Sequence, residues 1–116
     1  MYNCDNFFIM TQQEFNSLIA PDRLVLVDFF ATWCGPCKAM HPVLDALERQ
    51  MQAVVDVVRL NVDLYENTEP VQHYRVMSVP TLMLFRQGRL LWRESGIVSL
   101  DALIDVVQRF EKVEAY

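Results

Sequence analysis

Hydrophobic residues along the chain fall into short continuous runs and into longer periodic stretches, and the two patterns predict different elements. The continuous runs have strand length and are rich in valine, leucine and phenylalanine, as is typical of strands that are covered on both faces. These runs lie at 7–10, 24–30, 54–62 and 78–85. Gln87-Gly88 then turns the chain into a further strand at 89–94, which predicts an antiparallel hairpin.

The periodic stretches predict four helices, three between strands and one after the last strand. Thr11 and Glu14 form a capping box that opens a helix over 11–20, and Ser99 caps the last helix. Apolar residues at three-to-four spacing predict a helix over 34–52, where Pro42 should produce a bend, and a short helix is expected over 68–74. The order β-α-β-α-β-α-β-β-α predicts an α/β fold, with a central mixed β-sheet flanked by helices on both faces.

Composition narrows the class of protein. The 116 residues are 53% hydrophobic and 22% charged, which predicts one globular domain over 1–116. The formal net charge of −5 and the scattered basic residues exclude nucleic acid as an expected partner. No apolar run approaches the roughly 20 residues that span a bilayer, and the N-terminal residues lack the pattern of a secretory signal. We therefore expect no membrane association and a cytoplasmic location.

Two of the three cysteines, Cys34 and Cys37, lie where the apolar run at 24–30 meets the start of a helix. Unpaired N–H groups at a helix N-terminus favour a thiolate over a thiol, so a cysteine at this turn is expected to be reactive. A metal site, a structural bridge and redox cycling all fit this spacing. Zinc needs four ligands, and the remaining candidates, Cys4, His41 and His73, are scattered. A bridge across so short a loop would stabilise little, which favours redox cycling.

Several residues around the cysteine pair resemble the thioredoxin family in identity and order. They are Asp28-Phe-Phe-Ala-Thr-Trp-Cys-Gly-Pro-Cys-Lys38, Pro42, Asp63, Val79-Pro80-Thr81, Gly88 and Gly96. The resemblance covers nearly the whole chain, from about residue 7 to residue 110, and its central motif is among the more specific short motifs. It implies the thioredoxin fold for the predicted α/β architecture.

The resemblance also implies an activity. The chain would be a protein-disulfide reductase that maintains cytosolic redox homeostasis, with Cys34 attacking a substrate disulfide and Cys37 resolving the mixed disulfide. Asp28 would take the proton of Cys37, because a buried carboxylate has the raised pKa that suits a base; the alternative is a partly exposed strand carboxylate. We expect no bound cofactor, since the redox-active group would be the Cys34–Cys37 disulfide itself. The expected partners are an NADPH-linked thioredoxin reductase and disulfide-containing proteins, and the chain is expected to be a monomer.

A substrate-docking surface follows from the same resemblance. Pro80 would be a cis-proline facing the thiols, and the backbone of Val79 would pair with an extended substrate segment. The surface would be completed by Trp33, Gly35, Pro36 and Gly96. A tryptophan beside a turn can instead pack into the core, which is the alternative for Trp33.

Three residues are candidates for tuning the thiols. Arg59 stands where the family commonly has a lysine near the buried aspartate, and we expect a contact with Asp28 that keeps the carboxylate ionised. His41 lies one helical turn beyond Cys37 and either stabilises its thiolate as an imidazolium or is a solvated surface residue. Lys38 either raises the local potential or is simply solvated. Met40, Met51, Met77 and Met83 are predicted to be core residues, and Cys4 an idle thiol or a site of oxidative dimerisation.

Two rival functions remain open. The first is a disulfide oxidant or isomerase; family members of that kind more often carry histidine between the cysteines, whereas Pro36 points toward reduction. The second is a non-catalytic binding module that holds a partner on the surface from Trp33 to Pro80. The presence of Cys34, Cys37 and Asp28 together argues against a binding module.

Overall fold

The computed structural model describes residues 7–8 and 11–112, in which four helices surround a sheet. The strands are β1 (Phe7–Phe8), β2 (Leu24–Phe30), β3 (Val55–Asn61), β4 (Thr81–Arg86) and β5 (Arg89–Ser95). The helices are α1 (Gln12–Ile19), α2 (Gly35–Met51), α3 (Thr68–His73) and α4 (Leu100–Glu111), with a 3-10 turn at Tyr65–Asn67. Within the described residues the strands form one sheet of five, in the order β1-β3-β2-β4-β5.

Strand β2 is the centre of this sheet. It runs parallel to β3 and antiparallel to β4, and all seven of its residues are buried. Its even-numbered residues Leu24 and Leu26 belong to the apolar cluster that contains Met40 and Leu44 of α2 and Leu103 of α4. Its odd-numbered residues Val25, Val27 and Phe29 pack with Phe15 and Ile19 of α1 on the other face. Alternate side chains of a strand point to opposite faces, so helices on both sides bury the whole strand.

Most predicted boundaries agree with the structure to within about two residues. The largest difference is at β4, which begins at Thr81 rather than at Ser78 because residues 78–80 form a loop with a cis peptide bond between Val79 and Pro80. The prediction that Met77 is a core residue is wrong, since its side chain is 89% exposed, whereas Met40 and Met83 are buried as predicted.

Helix α2 continues through Pro42 from Gly35 to Met51. The ring of Pro42 has no N–H, so the carbonyl of Lys38 lacks the intrahelical donor that it would otherwise have four residues later. The predicted bend stays a prediction, whereas the predicted extent of the helix is confirmed to within one residue at each end.

The capping box at the start of α1 gives a testable stability prediction. The N–H of Glu14 donates to Thr11 Oγ1 at 3.2 Å, and the N–H of Thr11 donates to Glu14 Oε1 at 2.9 Å. We expect Thr11→Ala to lower the free energy of unfolding by about 1 kcal/mol, because a first-turn N–H loses its partner. Urea denaturation measures this change. Ser17→Ala, on the exposed side of the same helix, is the matched control and should lower stability by much less; an equal loss in both variants would contradict the capping explanation.

Candidate active site

The cysteine pair lies at the first turn of α2, directly after β2. Cys34 is the N-cap residue, and its Sγ accepts a hydrogen bond from the backbone N–H of Cys37 at 3.1 Å. The Cα atoms of Cys34 and Cys37 are 5.2 Å apart, and their sulfurs are joined in a disulfide. Gly35 and Pro36 occupy the turn between them, and a proline at this point of a helix costs no hydrogen bond because its N–H would be unpaired. The helix terminus therefore places a positive partial charge at the sulfur of Cys34.

The two cysteines differ in accessibility. Cys34 keeps 4% of its surface exposed, whereas Cys37 has none and packs with Phe30 and Ala31. Solvent therefore reaches part of Cys34 and no part of Cys37. The two cysteines are therefore not equivalent in the fold.

A loop from another part of the chain faces Cys34. The carbonyl oxygen of Val79 lies 3.6 Å from Cys34 Sγ, and the bond from Val79 to Pro80 is cis, as the family resemblance implies. The Pro80 carbonyl accepts a hydrogen bond from the N–H of Gly96 at 2.8 Å, so the residues after β5 are held against this loop. Gly96 has a φ of +92°, a conformation that favours glycine over other residues. The structure thus brings Val79, Pro80 and Gly96 together beside Cys34.

Trp33 lies on the outside of this site. Its side chain is 70% exposed, and its Nε1–H donates to Asp63 Oδ2 at 2.7 Å. The alternative in which Trp33 packs into the core is therefore wrong. Gly35, Pro36 and Lys38 are also exposed, so the rim of the site is formed by an indole, a backbone turn and a cation.

Asp28 lies on the same face of β2 as Leu24 and Leu26, which pack against α2. Its side chain is completely buried, and neither carboxylate oxygen has a hydrogen-bond partner among the described residues. Burial raises the pKa of Asp28 to about 7, because the charged form loses its hydration, while the positive charge of Arg59 lowers it. The alternative of a partly exposed strand carboxylate is wrong, and the group has the pKa of a base that works at neutral pH.

The expected contact between Arg59 and Asp28 is replaced by another arrangement. Arg59 stands beside Asp28 in the parallel register of β2 and β3, but its Nη2 donates to Asp45 Oδ1 at 2.7 Å and lies 3.5 Å from Glu48 Oε1. The charge of Arg59 does lower the pKa of Asp28, as expected, yet burial has the larger and opposite effect. The expectation that Arg59 keeps Asp28 ionised through a direct contact is therefore wrong.

His41 is neither charged nor simply solvated. It is half-buried, its ring packs edge-on against Phe30 with 5.6 Å between ring centroids, and its Nδ1 lies 3.5 Å from Arg59 Nη1. Burial, followed by the charge of Arg59, lowers the pKa of His41 below its ordinary value of 6.5. Both effects favour the neutral imidazole, which argues against a positive charge supplied to Cys37.

Three further points from the sequence concern a metal site, Cys4 and membrane-spanning helices. Among residues 7–8 and 11–112 there is no group of three or more histidine, cysteine or acidic side chains that could hold a metal ion. Cys4 lies outside the described residues. The helices of the described part are too short or too polar to cross a membrane.

Sequence reasoning missed the ion pairs of Arg59. Asp45 and Glu48 follow His41 in α2 at spacings of four and three residues, which places all three side chains on one face of the helix. That spacing was the available signal. It could not show that β3 presents an arginine to this face, because only the sheet register does so.

A slightly exposed cysteine at a helix N-terminus, its disulfide to a fully buried second cysteine and a buried carboxylate on the preceding strand together define a dithiol–disulfide redox centre. The comparisons with known proteins agree with this class. The thioredoxin family model matches residues 6–109. A thioredoxin of Chlamydia caviae is 41% identical over 101 residues, which are 87% of this chain and 95% of that protein. One of Chlamydia trachomatis is 40% identical over 103 residues, which are 89% and 97% of the two chains.

Solved structures show the same fold. A mutant thioredoxin from Halobacterium salinarum superimposes with a TM-score of 0.80 at 32% identity, covering 94% of this chain and 92% of that one. A thioredoxin from Nicotiana alata gives a TM-score of 0.77 at 36% identity, covering 89% of each chain. The chain belongs to the thioredoxin family, its fold is the predicted thioredoxin fold, and its activity is thiol–disulfide oxidoreduction.

Proposed function

We propose that this chain is a protein-disulfide reductase in which Cys34 is the attacking residue. The observation that carries the proposal is the unequal burial of the two cysteines at the N-terminus of α2, with Cys34 4% exposed and Cys37 fully buried. The thiolate of Cys34 attacks one sulfur of a substrate disulfide, a mixed disulfide forms, and the second substrate sulfur leaves as a thiolate that takes up a proton. Cys34 is the cysteine that a bulky protein substrate can reach.

Cys37 completes the reaction. Its thiolate attacks Cys34 Sγ, the bond from Cys34 to the substrate breaks, and the second substrate thiolate is released as the Cys34–Cys37 disulfide forms. Two electrons pass from the dithiol to the substrate, so no bound cofactor is needed. Asp28 acts as the base for Cys37, supported by its complete burial, its unpartnered oxygens and a pKa of about 7.

The substrate docks on the surface formed by Trp33, Gly35, Pro36, Val79, Pro80 and Gly96. Support comes from the exposure of Trp33 and of the turn at Gly35 and Pro36, and from the 3.6 Å between Cys34 Sγ and the Val79 carbonyl oxygen. Recognition through the backbone of Val79 would accept many extended segments, as strand addition does elsewhere. Lys38, exposed beside the turn, adds a positive charge to the rim.

The physiological setting is part of the same proposal. An NADPH-linked thioredoxin reductase returns two electrons to the Cys34–Cys37 disulfide, and the monomer maintains thiol–disulfide balance in the cytoplasm. One structural relative supports such a partnership. It comes from work on the thiol resolving mechanism of a yeast mitochondrial peroxiredoxin via glutathione and thioredoxin systems, and it superimposes with a TM-score of 0.78 at 30% identity.

A coupled assay tests the reductase function. The protein is mixed with NADPH, thioredoxin reductase and a disulfide-bonded substrate such as insulin, and NADPH oxidation is followed together with the dithiol–disulfide equilibrium against glutathione. We expect turnover that depends on all three components, with a dithiol more reducing than glutathione. A strongly oxidising equilibrium would identify an oxidant or isomerase instead, and binding of partners without turnover would identify a binding module.

A further inference from the structure

Asp28 and Arg59 face the same side of the sheet. The two residues are register partners on the parallel strands β2 and β3. On both strands the residues two positions earlier, Leu26 and Val57, belong to the cluster packed under α2, so the side chains of Asp28 and Arg59 also point toward α2. A buried carboxylate and a buried guanidinium so placed are expected to form an ion pair.

The guanidinium of Arg59 instead contacts side chains of α2. Its Nη2 donates to Asp45 Oδ1 at 2.7 Å and lies 3.5 Å from Glu48 Oε1, and its Nη1 lies 3.5 Å from His41 Nδ1. The side chain of Arg59 is only 9% exposed, whereas those of Asp45 and Glu48 are 53% and 39% exposed. The arginine therefore spans from the sheet to the outer edge of the helix, and its charge is neutralised near the surface.

Asp28 is left without a partner as a result. Both of its oxygens are buried and accept no hydrogen bond within the part of the chain that the structure describes. An unsatisfied buried carboxylate is unfavourable for the fold, since the ionised group has lost its hydration without compensation. The guanidinium of Arg59, on the neighbouring strand, could relieve this cost but does not, because it is bound to Asp45 and Glu48 instead.

We propose that Asp45 and Glu48 are positioning residues that hold Arg59 away from Asp28, and thereby keep Asp28 available as the base for Cys37. The inference deepens the proposed function and rests on the role of Asp28 given there. Neither acidic residue touches the reacting sulfurs. They act through Arg59, which would otherwise pair with Asp28 and weaken the affinity of the carboxylate for the proton of Cys37.

The other groups around Asp28 do not offer an alternative explanation. Helix α2 carries Cys37 and His41 besides the two acidic residues, and β3 carries Arg59. Strand β4 places Leu82 opposite Asp28, and α4 presents Leu103 and Val107 to the same cluster. The acidic residues of α4, Asp101, Asp105 and Glu111, are exposed to solvent. Arg59 is the only charged residue that shifts the pKa of Asp28 in the described part of the chain.

The test is to remove the two acidic partners and titrate Asp28. In the double variant Asp45→Asn, Glu48→Gln, Arg59 loses both carboxylates and turns to Asp28. We expect the pKa of Asp28 to fall by about one pH unit or more, since an opposite charge within about 4–6 Å commonly lowers an aspartate pKa by one to three units. Carboxyl carbon NMR on the oxidised protein measures this pKa without any need for activity. In the reduced protein, the pH at which mixed-disulfide resolution is half-maximal should move in the same direction.

An Arg59→Met background separates the positioning effect from the simple loss of two negative charges. There the same double substitution should change the pKa of Asp28 by much less, because no guanidinium remains to turn inward. Asp105→Asn, which removes an exposed carboxylate paired with Arg109, is the matched surface control and should leave Asp28 unchanged. Asp45→Asn alone, which keeps Glu48 as a partner for Arg59, provides a milder variant and should give a smaller fall.

Two results would overturn the inference. An unchanged or raised pKa of Asp28 in a folded Asp45→Asn, Glu48→Gln variant would show that the acidic residues do not restrain Arg59. An equal fall in the Arg59→Met background would show that the effect is only a loss of negative charge. If the pKa falls as expected while the resolution rate keeps its pH profile, the positioning is supported and the role of Asp28 as base is the part that fails.

Discussion

Replacing Cys37 with serine is expected to convert the protein from a catalyst into a trap. Cys34 still attacks a substrate disulfide, but no second thiol is present to attack Cys34 Sγ, so the mixed disulfide accumulates. Cys34→Ser is expected to lose reductase turnover altogether and to form no adduct, because the remaining Cys37 is completely buried. Non-reducing electrophoresis and mass spectrometry of the protein mixed with an oxidised substrate measure the adduct, and the coupled assay measures turnover.

Cys4→Ser is the matched control for these two variants. It removes a thiol outside the motif and should keep full turnover while forming no stable adduct. An adduct through Cys37 in the Cys34→Ser variant would reverse the assigned roles. Equal adduct formation by both single variants would show that the difference in burial between the two cysteines does not decide which one attacks.

The second large effect is expected from Asp28→Asn, and it depends on pH. The pKa of Asp28 is raised from 3.8 to about 7 in the folded protein. Below pH 3.8 the carboxyl is neutral in both the folded and the unfolded chain, so the group favours neither through its charge. As pH rises toward 7, only the unfolded chain gains by ionisation, and the folded protein progressively loses stability until the folded carboxyl ionises as well.

Asparagine does not ionise, so it removes this loss. A pKa difference of about three units corresponds to roughly 4 kcal/mol at most. We expect the Asp28→Asn variant to be more stable than the parent by a few kcal/mol at pH 8 to 9, and about equally stable near pH 3.5. Urea denaturation at both pH values gives the two differences. At neutral pH the variant should also resolve mixed disulfides more slowly, because Cys37 has lost its base.

Asp105→Asn again serves as the control, since its carboxylate is exposed and should show no comparable gain at high pH. A gain of similar size at both pH values would mean that Asp28 destabilises the fold through its shape or polarity rather than through its ionisation. A loss of stability at high pH would mean that the carboxylate has a partner in solution that compensates its charge.

The sequence predicted the features that depend on local chemistry. The capping box at Thr11 and Glu14, the buried run at 24–30 and the helix that begins after Cys34 all depend on neighbours within a few residues, and each is found within a residue or two of its predicted place. The position of Val79 and Pro80 beside Cys34 came from the family resemblance instead. Residues 45 positions apart come into contact only because β4 pairs with β2.

The features that were predicted wrongly depend on what packs against a residue from elsewhere. Met77 has an apolar side chain, which is why it was predicted to be a core residue. It lies just before the loop at 78–80, outside the sheet, and it is exposed. Arg59 is adjacent to Asp28 in the sheet register, but the acidic face of α2 competes for its guanidinium. His41 looked like a surface residue, and the ring of Phe30 and the charge of Arg59 make it a half-buried neutral group. Which of several possible partners a side chain contacts depends on their positions in the fold, and the sequence alone does not give those positions.

The hydrogen bond from the Cys37 N–H to Cys34 Sγ makes one atom serve both the helix and the reaction. A thiolate accepts such a bond more strongly than a neutral sulfur does, so the first turn of α2 is held most firmly when Cys34 is ready to attack. Thermodynamic reciprocity then requires that any change that loosens this turn also makes the thiolate less favourable, even when the change lies far from the docking surface. In this protein the order of the first turn of α2 and the ionisation of the Cys34 thiol are therefore coupled, so a change in either one shifts the other.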